Sequence, residues 1–121
     1  MVARAGKDLR PIQVLFWRTE QGNEPVREWL KEMTKADRVK IGSDLALLQY
    51  GWPVGMPLCR SLKGGLWEQR TRLANRRLAR IIFTFCDGAL VLLHGFIKKS
   101  KKTPKDDLDL ATRRKKSLEQ E

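Results

Sequence analysis

Arg70, Arg72, Arg76, Arg77 and Arg80 stand together in "LWEQRTRLANRRLARIIFTF", residues 66–85, with Glu68 as their one carboxylate. Guanidinium groups match phosphate bidentately. Further along come His94, in "LLHGF", and Lys98, Lys99, Lys101 and Lys102, in "IKKSKK". Histidine titrates near neutral pH and can move a proton, and ammonium groups add charge wherever a phosphate lies. Clustered donors of this kind suit a phosphate backbone.

The elements that must hold these groups follow from local pattern. "GLWEQRTRL", "LARIIFTFC" and "ALVLLHGF" are rich in branched and aromatic residues and read as three strands. "ANRR" turns between the first two, and Asp87-Gly88 is a strong hairpin signal before the third. Because strand side chains alternate between faces, Leu66, Glu68, Arg70 and Arg72 share one face of the first strand. Leu78, Arg80, Ile82 and Thr84 share one face of the second, opposite a plain core set of Ala79, Ile81, Phe83 and Phe85. Arg80 is thus expected on an open sheet face near Arg70 and Arg72, with His94, Phe96 and Lys98 arriving from the third strand. Arg70, Arg80, His94 and Lys98 would then meet on one face. Basic sheet faces of this kind hold RNA. The bland alternative is a solvated face whose arginines pair with Glu68 and other acids.

Upstream, "IQVLFW" reads as a strand. "GNEPVREWLKEM" opens a helix with Asn23 as its cap and Pro25 in its first turn, burying Val26, Trp29, Leu30 and Met33. A second helix runs through "TKADRVKIGSDLALLQYG", where Thr34 and Asp37 resemble a capping box. Val39 or Ile41, then Leu45 and Leu48, face its core. A short strand is possible near 58–62. Thr103-Pro104 starts a last helix, docked by Leu108, Ala111 and Leu118, with a basic far face from Arg113 to Lys116. Trp17, Trp29, Trp52 and Trp67 read as packing residues. The pattern describes one α+β domain over residues 1–121: a strand and a helical hairpin packed on an antiparallel sheet with a C-terminal helix, after a loose tail at 1–10.

Composition bounds the partners. The 121 residues carry a net charge of +11, and residues 60–121 hold sixteen Lys/Arg against seven Asp/Glu. Such a bias favours polyanions. No apolar run is long enough to span a membrane, and the N-terminus lacks the apolar stretch of a signal peptide. Two cysteines without metal-like spacing fit a reduced, cytoplasmic setting. One histidine makes a His/Cys zinc site unlikely. Neither metal nor cofactor is expected.

"SLKGGLWEQRTRL" followed by "RRLARIIFTFCDGALVLLHGFIKKSKKTPKDDLDLATRRK" resembles the phage-derived HigB-like branch of the RelE/ParE toxin superfamily. The likeness covers about residues 52–117, with the two helices before it in the expected order. It implies a microbial-RNase-like fold, a toxin of a type II toxin–antitoxin pair, and cleavage of mRNA in the ribosome. It also implies a HigA-like helix-turn-helix antitoxin as partner. By position it places Glu68 and Arg70 on the first motif strand, Arg80 on the second, and His94, Lys98 and Lys99 on the third. Glu68, Arg70, Arg80, His94 and Lys98 are accordingly the expected catalytic group. Lys63, Arg72, Arg76, Arg77, Lys99, Lys101 and Lys102 are the expected RNA contacts. Arg80→Ala is expected to abolish activity and leave the fold intact. Two rival functions share these residues: a ParE-like inhibitor that poisons DNA gyrase by binding, and an inactive protein that binds RNA or ribosomes.

Overall fold

The Asp87-Gly88 turn closes the central hairpin. Both residues have positive φ, 49° and 79°, the pairing that a tight hairpin demands and that glycine supplies without a steric cost. Asn75 and Arg76, both at φ 60°, make the equivalent turn one hairpin earlier, and Arg77 N–H donates to Ala74 O across it. In the computed structural model, which describes residues 10–97 and 102–119, these turns join five strands: β1 (Gln13–Phe16), β2 (Cys59–Ser61), β3 (Leu66–Arg72), β4 (Leu78–Cys86) and β5 (Ala89–Ile97). Three helices accompany them: α1 (Pro25–Lys31), α2 (Lys35–Gly51) and α3 (Lys105–Glu119). The sheet order is β1-β5-β4-β3-β2. It is mixed rather than wholly antiparallel, because β1 runs parallel to β5. The tail expected at 1–10 lies outside the described residues except for Arg10, as do Lys98, Lys99 and Lys101.

Each face of the sheet carries its own core. On one side α1 and α2 cover Ala79, Ile81, Phe83, Leu90 and Leu92 with Val26, Ile41 and Leu48. Trp52 is buried there, edge-on to Trp67 at 5.0 Å and to Phe83 at 5.5 Å, so the tryptophans pack as expected. Ile41 rather than Val39 faces this core, and Val39 is exposed. Trp29 lies directly on Gly95, where a Cβ would stand 2.5 Å from its ring; only glycine fits beneath it. On the other side α3 lays Ala111, Leu108 and Leu118 over Leu66, Ile82, Val91, Leu93 and Phe96.

Two local expectations change and one holds. Asn23 does not cap α1: Glu24 occupies that position without a side-chain cap, and the Asn23 backbone exchanges bonds with Thr19. Thr34 does cap α2, accepting from Asp37 N–H at 3.2 Å. Asp37 then turns to Arg77, whose fork meets both carboxylate oxygens at 2.7 and 3.0 Å. That contact holds the Asp37 carboxyl below its ordinary range and ties the β3–β4 hairpin to the start of α2. Finally, Arg114 does not belong to an outward basic face. It donates to Leu93 O at 2.7 Å and lies 4.7 Å from the Trp17 ring centre.

Candidate nucleic-acid interface

Register decides which charges meet. Arg70 stands opposite Arg80, and Arg80 opposite Phe96; one step along, Glu68 stands opposite Ile82, and Ile82 opposite His94. The β4–β5 ladder slips between Ile82 and Phe83, which pair with His94 and Leu92 and leave Leu93 as the extra residue. This bulge turns His94 to the face that carries Arg70 and Arg80. Strict alternation from Leu90 and Leu92 would have sent it to the α1/α2 core. Glu68, Arg70, Arg80 and His94 therefore do share one face.

That face is covered, not open. Both Arg80 and Glu68 are 0% exposed. The expectation of an open sheet surface fails because α3 and the segment leading into it close over the two residues. Arg80 Nη1 donates to Lys102 O at 2.8 Å, and Thr103 Oγ1 donates to Glu68 Oε2 at 2.7 Å. Arg70 Nε lies 3.6 Å from Glu68 Oε1, an ion pair without hydrogen-bond contact. Burial pulls Arg80 below the usual arginine range. Glu68 and Asp107 oppose that pull, while Arg70 and Arg60 add to it. The guanidinium nonetheless keeps its charge.

His94 stacks on Phe96, centre to centre 5.4 Å, and its Nε2 lies 2.6 Å from Asp107 Oδ1. A carboxylate at that distance orients the ring and leaves Nδ1 as the ring nitrogen that Asp107 does not hold. Asp107 was readable only as a first-turn helix acid. Neither it nor Thr103 carried a sequence signal for a side chain turned back onto the sheet.

Arg70 reaches a second environment. It lines an open groove of about 940 Å³ bounded by α2, residues 56–58 and the β3–β4 hairpin. Arg60, Arg72, Arg76 and Lys40 line it as well, with Asp44 as the one carboxylate among the lining residues. Of the expected RNA contacts, Arg72 and Arg76 fall here. Arg77 lines the groove too, but its guanidinium is held by Asp37. Lys63 precedes β3, at the opposite end of that strand from Arg72, about 20 Å away at strand spacing, and does not join them. Lys102 is exposed, next to the covered cluster. Arg60 and Lys40 were missed; cross-strand pairing of Arg60 with Glu68 is what brings Arg60 in.

The cysteines offer no competing chemistry. Cys59 is buried and its thiol is pushed up to about 12, mainly by burial and partly by Glu68. Cys86 is also shifted upward. A nucleophilic thiol needs the opposite shift. Among the described residues no helix is long and apolar enough to cross a membrane.

Residues 28–116 match the family described as phage derived protein Gp49-like (DUF891), a span that includes α2, the groove and all of the covered cluster. The chain belongs to this Gp49-like family. No curated protein matches it. The match takes in β2 through β5 and most of α3, so every strand that carries a candidate residue lies within the Gp49-like region. The α+β architecture, with its sheet and C-terminal helix, is compatible with the RelE-like fold.

Proposed function

We propose that this Gp49-like protein is the toxin of a type II toxin–antitoxin pair and cleaves mRNA without a metal, on the ribosome, with a HigA-like helix-turn-helix antitoxin as its partner. The observation that carries this reading is the position of Arg70. On one side it is paired with the buried Glu68; on the other it lines a groove rich in exposed cations.

In this reading Arg70 is the guanidinium that grips the scissile phosphate, and Glu68 aims it. Arg60, Arg72 and Arg76 hold neighbouring phosphates, a sequence-independent contact. Arg80 supports the site from beneath by balancing Glu68 and fixing Lys102 O, so its contribution is to Arg70 rather than to RNA. His94, oriented by Asp107, is the proton-transfer group, with Nδ1 toward the substrate. Lys98 and Lys99, adjoining β5 in sequence, supply further positive charge.

Mapping mRNA 5′ ends in cells induced for the wild-type chain and for Arg70→Ala tests the reading. Codon-linked cuts are expected with the wild type and absent with the variant. DNA damage with intact mRNA would instead identify a gyrase poison and overturn it.

A further inference from the structure

One carboxylate, Asp44, stands among six lysines and arginines along the groove beside α2. Phosphate contacts do not account for it, since a negative charge there weakens the hold on a phosphate backbone. Packing does not account for it either. Asp44 is half-buried, and among the described residues its carboxylate makes no hydrogen bond or ion pair. Lys40 stands one turn earlier on α2 and lines the same groove, yet the two do not pair. Lysine before acid at this spacing is the weaker order on a helix. A donor and an acceptor are thus held side by side, neither taken by another described residue.

The wall beside them is apolar. Leu47, one turn after Asp44, and Met56 are each 59% exposed, and Pro57 and Leu58 adjoin them. The flat face of a nucleobase covers such a wall, because unstacked bases pack on apolar as well as aromatic side chains. A methionine sulfur also makes favourable contacts with aromatic rings.

The order of polar groups selects the base. In single-stranded RNA the Watson–Crick edge is free to be read. A carboxylate only accepts, at two oxygens. Guanine alone offers two adjacent donors, N1–H and N2–H, followed by the O6 acceptor. Adenine, cytosine and uracil each set one donor beside an acceptor, which a carboxylate repels. The acceptor of Asp44 next to the donor of Lys40 matches the guanine edge.

We propose that this groove seats a guanine base, its face on Leu47 and Met56, its N1–H and N2–H donating to Asp44 and its O6 accepting from Lys40. On the RNA-cleaving reading above, on which this assignment rests, Asp44 sets the base preference for the substrate. The phosphate contacts of Arg60, Arg72 and Arg76 stay indifferent to sequence.

The probes are fluorescein-labelled oligouridine heptamers with 2′-O-methyl sugars, which attack through the 2′-OH cannot cut. They carry guanine, hypoxanthine or uracil at the centre, and binding to the full chain is read by anisotropy. The guanine probe is expected to bind about 10-fold more tightly than the uracil probe, the discrimination that a two-donor contact to one base gives. Hypoxanthine lacks the N2 amino group and should fall between them. Asp44→Asn keeps the side-chain shape and replaces one acceptor by a donor. It should shrink the guanine advantage to about twofold or less, while raising affinity for the all-uridine probe because a negative charge leaves the groove. A merely structural change weakens every probe together, so opposite movement of the two affinities separates base reading from a structural role. Circular dichroism verifies that the variant remains folded. Equal binding of the guanine and uracil probes, a guanine advantage unchanged in Asp44→Asn, or a uniform loss across the probes would overturn the proposal. Base-indifferent binding by a chain that still cuts mRNA removes the guanine assignment alone. Failure to bind any probe removes the RNA reading with it.

Discussion

Two groups of arginines on adjoining strands meet opposite fates. Arg80, near the start of β4, is sealed beneath α3 beside a buried carboxylate. Arg72 and Arg76, a few residues away around the β3–β4 hairpin, stand exposed on a groove. A buried charge must be compensated where it lies, by Glu68, by Lys102 O and by the dipoles around it, so its removal disturbs the fold. An exposed charge is solvated and contributes little to stability. The difference separates the arginine that holds the site together from those that can meet a ligand, and Arg70 stands at the boundary between them.

The sharpest test of that contrast is Arg80→Met. Leaving Glu68 buried without its nearest compensating guanidinium on β4 should cost about 3–5 kcal/mol in urea unfolding. Adding Glu68→Leu should recover most of the loss, because replacing both charges by apolar groups is close to neutral. An Arg80→Met protein as stable as the wild type would show that the buried cluster is not a structural unit. This outcome also differs from the one the sequence suggested, in which Arg80→Ala spares the fold.

Thr103→Val probes the same region more gently. It removes the hydroxyl that donates to Glu68 Oε2 while keeping the side-chain shape, and should lower stability by about 1–3 kcal/mol. Thr103→Ser should retain most of the wild-type value. The groove sits at the small end of the scale: Arg72→Ala and Arg76→Ala should each move stability by no more than about 0.5 kcal/mol. Both should nevertheless weaken binding of a single-stranded RNA oligonucleotide and flatten its salt dependence, measured by anisotropy across a salt series. A stability loss comparable to that of Arg80→Met would erase the distinction between the two regions.

Much of the fold was legible because it is local. Asp87-Gly88 and "ANRR" demand turns, the apolar runs of β4 and β5 demand interior strands, and Pro25 and Thr103-Pro104 mark helix starts. Asn23 misled because a nearby Thr19 offered its backbone another partner. Membership of the candidate cluster was also largely legible: alternation alone puts Glu68, Arg70 and Arg80 on one face. His94 was placed there too, but alternation counted from Leu90 and Leu92 opposes it. The extra residue at Leu93 reconciles the two, and a bulge is fixed by pairing with a neighbouring strand, which one strand's sequence does not record.

By itself, then, the chain's order of residues determined turn positions, strand faces, the excess of positive charge and its concentration in the C-terminal half. These depend on backbone sterics and side-chain periodicity within a few residues. Tertiary structure alone decided that α3 covers Arg80 and Glu68, that Asp107 and Thr103 reach back onto the sheet, that Arg77 is claimed by Asp37, and that Arg60 and Lys40 join Arg70 on one groove. Each of these joins residues far apart in sequence, where exposure and pairing follow from how whole elements dock rather than from any local pattern.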